Sequence, residues 1–231
     1  MKFQNVFAVG DLHFPITDKI ALRTVIKQIK NEQPDVVVQM GDLFDRYAGS
    51  KFPRSLNIWT PQHEEMLSVS LAEKFWQDVQ AAAPRATCYQ LMGNHDIRPL
   101  KKVIEKSPEF EHVAQGYLQE IYTFPGVHTV YDPREELIIN NDFYMHGYLT
   151  KPGAHVRKNL NRNIIVGHSH YGYVLPLSIE GKVLWELNVG YLGDRHHKCL
   201  SYTAQKRMTN WTLGSGRVDE LGPRFVPIDE K

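Results

Sequence analysis

Apolar and polar positions change rhythm partway along this chain. "FQNVFAVG" (residues 3–10) and "DVVVQMG" (residues 35–41) are dense in Val and Phe and have no helical period, as expected of buried strands. Between them Ile16, Ile20, Val25, Ile26 and Ile29 recur at roughly helical spacing after Pro15, which predicts a strand, helix, strand unit. A third strand, "ATCYQLMG", ends at Gly93. Ahead of it an amphipathic helix is predicted from Pro61 to Ala83, with Thr60 as N-cap and Pro61 as its first residue. Met66, Leu67, Phe75, Trp76 and Val79 form its expected buried stripe. Residues 46–60, "RYAGSKFPRSLNIWT", have no period and read as a long loop leaving a strand end, a common home for substrate contacts. Tyr47 and Trp59 offer rings to stack on a base, but packing the loop down is the preferred reading.

Beyond residue 118 short β-rich runs take over: "EIYTF", "VHTVYD", "ELIIN", "DFYMHG", "NIIVGHSH", "YVLPLSI", "KVLWELNVG" and "KCLSYTA". One short helix is expected near residues 153–161. The class is therefore α/β in the first half and mostly β in the second. No internal repeat is evident. The 231 residues suit one domain, 1–231, with a loop insertion at about 46–60 and a β-rich part at about 171–231.

Composition adds mainly exclusions. Hydrophobic residues at 42% and charged ones at 23% are ordinary globular values, so a folded core is expected. Lys plus Arg at 27 against Asp plus Glu at 26 leaves a net charge of +1, which gives no overall pull toward nucleic acid or membrane. Two cysteines, Cys88 and Cys199, are too few for a disulfide framework, and Cys88 reads as a core residue. Asp11 cuts short the N-terminal apolar run before it reaches signal-peptide length, and no stretch is long and apolar enough to span a bilayer. A cytoplasmic location follows as an expectation.

The chemistry gathers where apolar runs stop. "VFAVG" is followed by "DLH", "VVVQM" by "GDLFD", "CYQLM" by "GNHD", "DFYM" by "HG" and "NIIV" by "GHSH". Sites in open α/β sheets form beyond the carboxyl ends of strands, so these five clusters can converge on one crevice. Asp11, His13, Asp42, Asn94, His146, His168 and His170 supply carboxylate, amide and imidazole without thiolate. That mixture suits Mn, Fe, Zn or Ni rather than a structural cysteine-rich zinc site. Seven ligands exceed one catalytic ion and suit two, roughly 3.5–4 Å apart with a bridging carboxylate. Two such ions flanking a phosphate lower the pKa of a bridging water and neutralise charge on the phosphate oxygens.

The ordered set across residues 11–170 resembles the calcineurin-like metallophosphoesterases. The resemblance implies a four-layer αββα sandwich, two mixed β-sheets face to face with helices outside. It also implies that Asp11, His13, Asp42 and His170 hold one ion and Asp42, Asn94, His146 and His168 the other, with Asp42 bridging. By the same match His95 contacts the substrate phosphate and protonates the leaving oxygen, Asp96 orients His95, and Asn94 also borders the substrate. The implied reaction is hydrolysis of a phosphate ester by a metal-bridging hydroxide.

"GDLFDR" carries Asp45 and Arg46, as in the serine/threonine phosphatase branch, where the Arg binds phosphate. "GNHD" is instead closer to the branch containing nucleases and cyclic-nucleotide phosphodiesterases. A phosphodiester of nucleic acid or nucleotide is therefore slightly preferred as substrate. The alternatives are a phosphomonoesterase such as a protein phosphatase and, more remotely, a non-catalytic adaptor on the same fold. His63, His112, His128, His155, His196 and His197 read as surface or locally hydrogen-bonded, and Arg98, Lys101 and Lys102 as a solvated helix face.

Overall fold

The structure, a computed structural model, describes residues 3–50, 58–132, 135–159, 161–200 and 210–229. Strands β1 (Val6–Val9), β2 (Val36–Gln39), β3 (Thr87–Leu91) and β4 (Val127–Val130) run parallel. The crossovers are helical: α1 (Lys19–Glu32), α2 (Pro61–Ala82), then the pair α3 (Arg98–Lys106) and α4 (Glu111–Ile121). A hairpin of β10 (Gly214–Asp219) and β11 (Gly222–Pro227) joins this sheet antiparallel to β1, giving the order β11-β10-β1-β2-β3-β4.

The second sheet contains β5 (Leu137–Ile139), β6 (Asp142–Tyr144), β7 (Ile164–Val166), β8 (Gly172–Ile179) and β9 (Lys182–Val189) in the order β5-β6-β7-β9-β8. Strands β6, β7 and β9 are mutually parallel, and the one-turn helix α5 (Ala154–Lys158) precedes β7.

Period-two alternation explains why these strands read as continuous apolar runs, because each sheet is covered on both faces. Val6, Ala8, Val38 and Met40 meet Leu137, Tyr144, Ile165 and Leu187 between the sheets. On the other face of the first sheet, Phe7, Val9 and Val37 pack on Val25 and Ile29 of α1, Phe75 and Trp76 of α2 and Leu118 of α4. Outside the second sheet Ile164, Val166 and Leu184 cover Val156 of α5. The result is the four-layer αββα sandwich. Among the described residues no helix is long and apolar enough to cross a membrane.

Helix α2 starts as its sequence dictates, with Pro61 first and the Thr60 side chain accepting from His63 N–H. Phe75, Trp76 and Val79 are buried as expected, but Met66 is 73% exposed. The buried face begins instead with Glu64 and Ser68. They are buried because they serve loop backbone: the Glu64 carboxylate accepts from Tyr47 and Ala48 N–H, and Ser68 Oγ donates to Phe14 carbonyl. In α1, likewise, Val25 and Ile29 are buried while Ile20 is 49% exposed.

Residues 120–124, expected as a strand, are the end of α4 and the turn after it. Tyr122 and Phe124 belong to the core, so their strand-like composition reflects burial rather than pleating. Lys198–Leu200, expected to open a strand, is a 3-10 turn whose Cys199 and Leu200 are buried; residues 201–204 of that run lie outside the described residues, as do 51–57 of the long loop. The β10–β11 hairpin escaped the apolar pattern because "GSGRVD" is glycine-rich. Glycines of two strands admit Phe225: a Cβ at Gly172 of β8 would lie 1.9 Å from its ring and one at Gly214 of β10 2.4 Å.

Gly172→Ala should therefore lower stability to urea by about 1–3 kcal/mol through overpacking. Combined with Phe225→Ala the two losses should be clearly less than additive, because the clash disappears with the ring. Additive losses in a double-mutant cycle would show that the ring does not rest on these glycines.

Candidate metal centre

Five strand ends deliver the donors. Asp11 and His13 follow β1, Asp42 follows β2, Asn94 follows β3, His146 follows β6, and His168 and His170 follow β7. Because β1, β2 and β3 run one way in one sheet and β6 and β7 run together in the other, their carboxyl ends share an edge of the sandwich. Five of the seven donors turn back over that edge through the left-handed region: φ is 50° at Asp11, 52° at His13, 51° at Asp42, 68° at His168 and 64° at His170. Non-glycine residues seldom adopt this conformation, which concentrates at functional sites.

All seven predicted donors are brought together. His170 Nε2 lies 3.2 Å from His13 Nε2 and 3.4 Å from Asp11 Oδ1. On the other side His146 Nε2 is 3.1 Å from Asn94 Oδ1 and 3.4 Å from Asp42 Oδ2, and His168 Nδ1 is 2.8 Å from the same Asn94 oxygen. Three Asp–His groups result among the described residues, Asp11–His13–His170, Asp42–His146–His168 and, sharing a member with each, His13–Asp42–His95. Asp42 Oδ2 lies 4.0 Å from His13 Nε2, so Asp42 stands between the first group and its own.

The chemistry of this donor set fits cations. His146 Nδ1 is 2.9 Å from Met40 carbonyl, so its proton sits there and Nε2 turns a lone pair toward two acceptor oxygens. His13 Nδ1 is engaged by Asp45 Oδ1 at 3.0 Å, which likewise leaves Nε2 to its cluster. A carboxylate or carbonyl behind an imidazole is the usual support of a metal-ligating histidine. Only a proton or a cation reconciles such facing lone pairs. Burial works against the His146 imidazolium, but the Asp42 carboxylate raises it to about 9. Burial and the neighbouring His146 press His168 down to about 4. Burial alone would raise the Asp11 and Asp42 carboxyls, yet the imidazoles around them hold both below the usual range.

Asp96 is not where the sequence put it. Its carboxylate accepts from Gly93, Leu43 and Phe44 N–H and from Tyr122 hydroxyl, with no hydrogen bond or ion pair to the His95 ring among the described residues. The His95 ring is set by Asp45 instead: Nδ1 is 2.7 Å from Asp45 carbonyl and 3.5 Å from its carboxylate. Sequence adjacency suggested the wrong aspartate. Asp45 stands within "GDLFD", and its strand-end position was the available signal. Arg46 is buried, and its guanidinium pairs with Glu65 and lies 5.2 Å from the Phe44 ring and 5.9 Å from the Tyr122 ring. None of its described contacts is with a candidate ligand. Arg98, rather than lying on a solvated face, donates to the Asp45 and Arg46 carbonyls and holds the loop after β2.

Two aromatic residues missed in sequence wall the site. Tyr191 stacks on His170 with ring centroids 5.1 Å apart, and Trp211 meets it edge-on at 4.4 Å. "NVGY" at the end of β9 repeats the strand, Gly, functional residue pattern of "AVGD", which was the signal for Tyr191. Trp59 stacks on His197 and packs with Ile16 and Tyr47, as the packing reading required. His155 is locally bonded and fully buried: Nε2 accepts from Tyr148 and Leu149 N–H, holding the turn after His146. Glu186 in turn accepts from Gly153, His155 and Val156 N–H. Burial opposes the Glu186 carboxylate, but these donors with His155 and Tyr173 hold it down at about 2.

Asp96→Ala strands three backbone donors and a tyrosine hydroxyl, so stability should fall by about 3 kcal/mol or more. An Asp96 that oriented His95 would instead show its loss in kcat with stability intact, and urea titration beside kinetics separates the two. Glu186, depressed from its ordinary 4.5 to about 2, contributes stability that is fully present above pH 4.5 and is lost as pH falls through about 2. The Glu186→Gln variant should lack that slope when unfolding free energy is followed across the same window.

The calcineurin-like phosphoesterase family profile matches residues 5–220. The chain is 25% identical to the Gene 54 protein of Mycobacterium phage L5 and 24% identical to that of Mycobacterium phage D29, over 97% of this chain and 94% of each relative. Among solved structures it is similar to YfcE, a phosphoesterase from E. coli, at 15% identity and a TM-score of 0.46, covering 94% of this chain and 88% of that one. With one profile running from the first strand to the β10–β11 turn and so taking in every strand end that carries a donor, the chain belongs to the calcineurin-like phosphoesterase family.

Proposed function

We propose that the chain is a dinuclear metal-dependent phosphoesterase whose substrate is a phosphodiester of nucleic acid or nucleotide. The observation that carries this reading is the buried Asp42 carboxylate, shared by the Asp42–His146–His168 and His13–Asp42–His95 groups, with His95 Nε2 4.0 Å from its Oδ2. Asp11, His13, Asp42 and His170 would hold one divalent ion, and Asp42, Asn94, His146 and His168 the other. Mn is the preferred metal, and Fe, Zn and Ni suit the same donors. Bound there, the ions supply Lewis-acid polarisation of the phosphate and acidify water at neutral pH.

The chain's own groups do the rest. Asp45 carbonyl fixes His95 Nδ1, leaving Nε2 turned toward Asp42 as the atom that hands a proton to the leaving oxygen. The His95 backbone N–H donates to Asp42 Oδ1 at 2.8 Å, so the acid and the shared carboxylate are held to each other. Eight filled positions, seven donors and His95, support a catalyst over an adaptor.

The protein stripped with chelator and reloaded with Mn²⁺ should bind two ions per chain by elemental analysis and turn over bis-p-nitrophenyl phosphate in preference to p-nitrophenyl phosphate. Asp42→Asn should lose both ions and the activity. His95→Ala should keep both ions and lose about 10²–10⁴-fold in kcat, most on poor leaving groups. A monoester preference sinks the diester reading, and full activity in His95→Ala sinks the acid.

A further inference from the structure

Beside the donor clusters lies a cavity of ≈ 270 Å³, reached between the end of β3, α3 and the turn after β6. Ligand pockets for whole small molecules span about 300–1,000 Å³, so this one suits part of a substrate. Its walls are mostly apolar, from Leu91, Ile97, Val130 and Met145. Tyr148 stands at its mouth, 56% exposed, with Lys101 on the rim. Tyr144 also lines it, 1% exposed, and its buried hydroxyl has no hydrogen-bond partner among the described residues. Buried hydroxyls are nearly always paired, so an unpaired one on a residue that lines a cavity beside a reaction centre is available to a ligand's polar atom.

The side on which the cavity opens matters. Asn94 and His146 line it, whereas His95, Asp45 and His13 do not. If His95 serves the leaving oxygen, the group entering this cavity is the one that stays on phosphorus. A phosphomonoester has no such group. We propose that the cavity holds the retained nucleoside of a phosphodiester, its rings against the apolar walls and Tyr148 and its polar edge bonded by Tyr144 hydroxyl. This assignment rests on the phosphodiesterase reading above and gives that reading its substrate class.

The test uses two diesters with one leaving group and different retained groups: thymidine 5′-(p-nitrophenyl phosphate) and methyl p-nitrophenyl phosphate, with the Mn²⁺-loaded protein. The thymidine ester should have a KM about tenfold lower. Val130→Trp, which fills the cavity from β4, should erase that advantage and leave kcat/KM for the methyl ester within about twofold. Tyr144→Phe, which removes one hydroxyl and no volume, should raise KM about threefold for the thymidine ester alone. Equal KM values in the unaltered protein, or equal losses on both esters in Val130→Trp and none in Tyr144→Phe, would overturn the assignment. Calorimetric binding of thymidine 5′-phosphate separates the two failures. A protein that hydrolyses neither diester but binds thymidine 5′-phosphate about tenfold more weakly after Val130→Trp keeps the cavity and loses the phosphodiesterase reading. Binding unchanged by that substitution rejects the cavity.

Discussion

The site is organised by one close approach, that of the Asp42 carboxylate to the backbone at Gly93. A Cβ there would fall 2.1 Å from Asp42 Oδ1 and 2.2 Å from Asp42 N, so no residue but glycine leaves room. Parallel pairing of β2 with β3, in the register that sets Gln39 beside Gln90, brings these two strand ends level. With that room available, Asp42 accepts the His95 N–H through one oxygen and faces the imidazoles of His13, His95 and His146 with the other. Gly93 acts here by lacking a side chain, since its φ is not among the positive ones. Gly167 does the same for the second carboxylate, for a Cβ there would lie 2.5 Å from Asp11 Oδ2.

The seven candidate donors were legible in the sequence because each stands two to four residues past a buried strand, where the apolar code stops and a polar residue has no packing role. The strands themselves were legible for the same reason. What escaped were contacts between residues distant in sequence. Met66 looked like stripe and is exposed, because the start of the α2 face is occupied by Glu64 and Ser68, which are polar in order to serve a loop. The end of α4 was read as strand because Tyr122 and Phe124 carry the same residue types that strands use. The hairpin of β10 and β11 was silent because its own Phe225 sits on glycines, which contribute nothing to a hydrophobic pattern.

The exchange of roles between Asp96 and Asp45 illustrates the limit sharply. Neighbours in sequence at the end of a strand point to different sides, so Asp96 beside His95 is turned into the core while Asp45, fifty residues earlier, reaches the same imidazole. Asp96 nevertheless governs the site, since it ties the loop after β2 to the loop after β3 through Leu43, Phe44 and Gly93 N–H. Asp45 carries a second duty: its carboxylate also holds His13 Nδ1, so one residue orients both a donor and the proposed acid.

These arrangements are unfavourable taken singly. Five donors hold left-handed backbone, each departure of this kind costing of order 1–3 kcal/mol, and three carboxylates at Asp11, Asp42 and Asp96 are buried close to one another. They persist because the strands that present them are fixed from both faces. Between the sheets, Met40 and Val189 immediately precede site turns and are fully buried, so neither turn can relax without opening the core. The polar supports act in the same direction: Met40 carbonyl binds His146, Gly41 carbonyl accepts from Asp11 N–H, and Asp11 carbonyl accepts from Leu192 N–H at the end of β9. Each loop is thus bonded to a loop from a different strand, and the strain in any one of them is opposed by the core under another. A preorganised cluster of like charges needs this cross-bracing before any cation arrives, because a site on independent loops would spread apart to relieve its own repulsion.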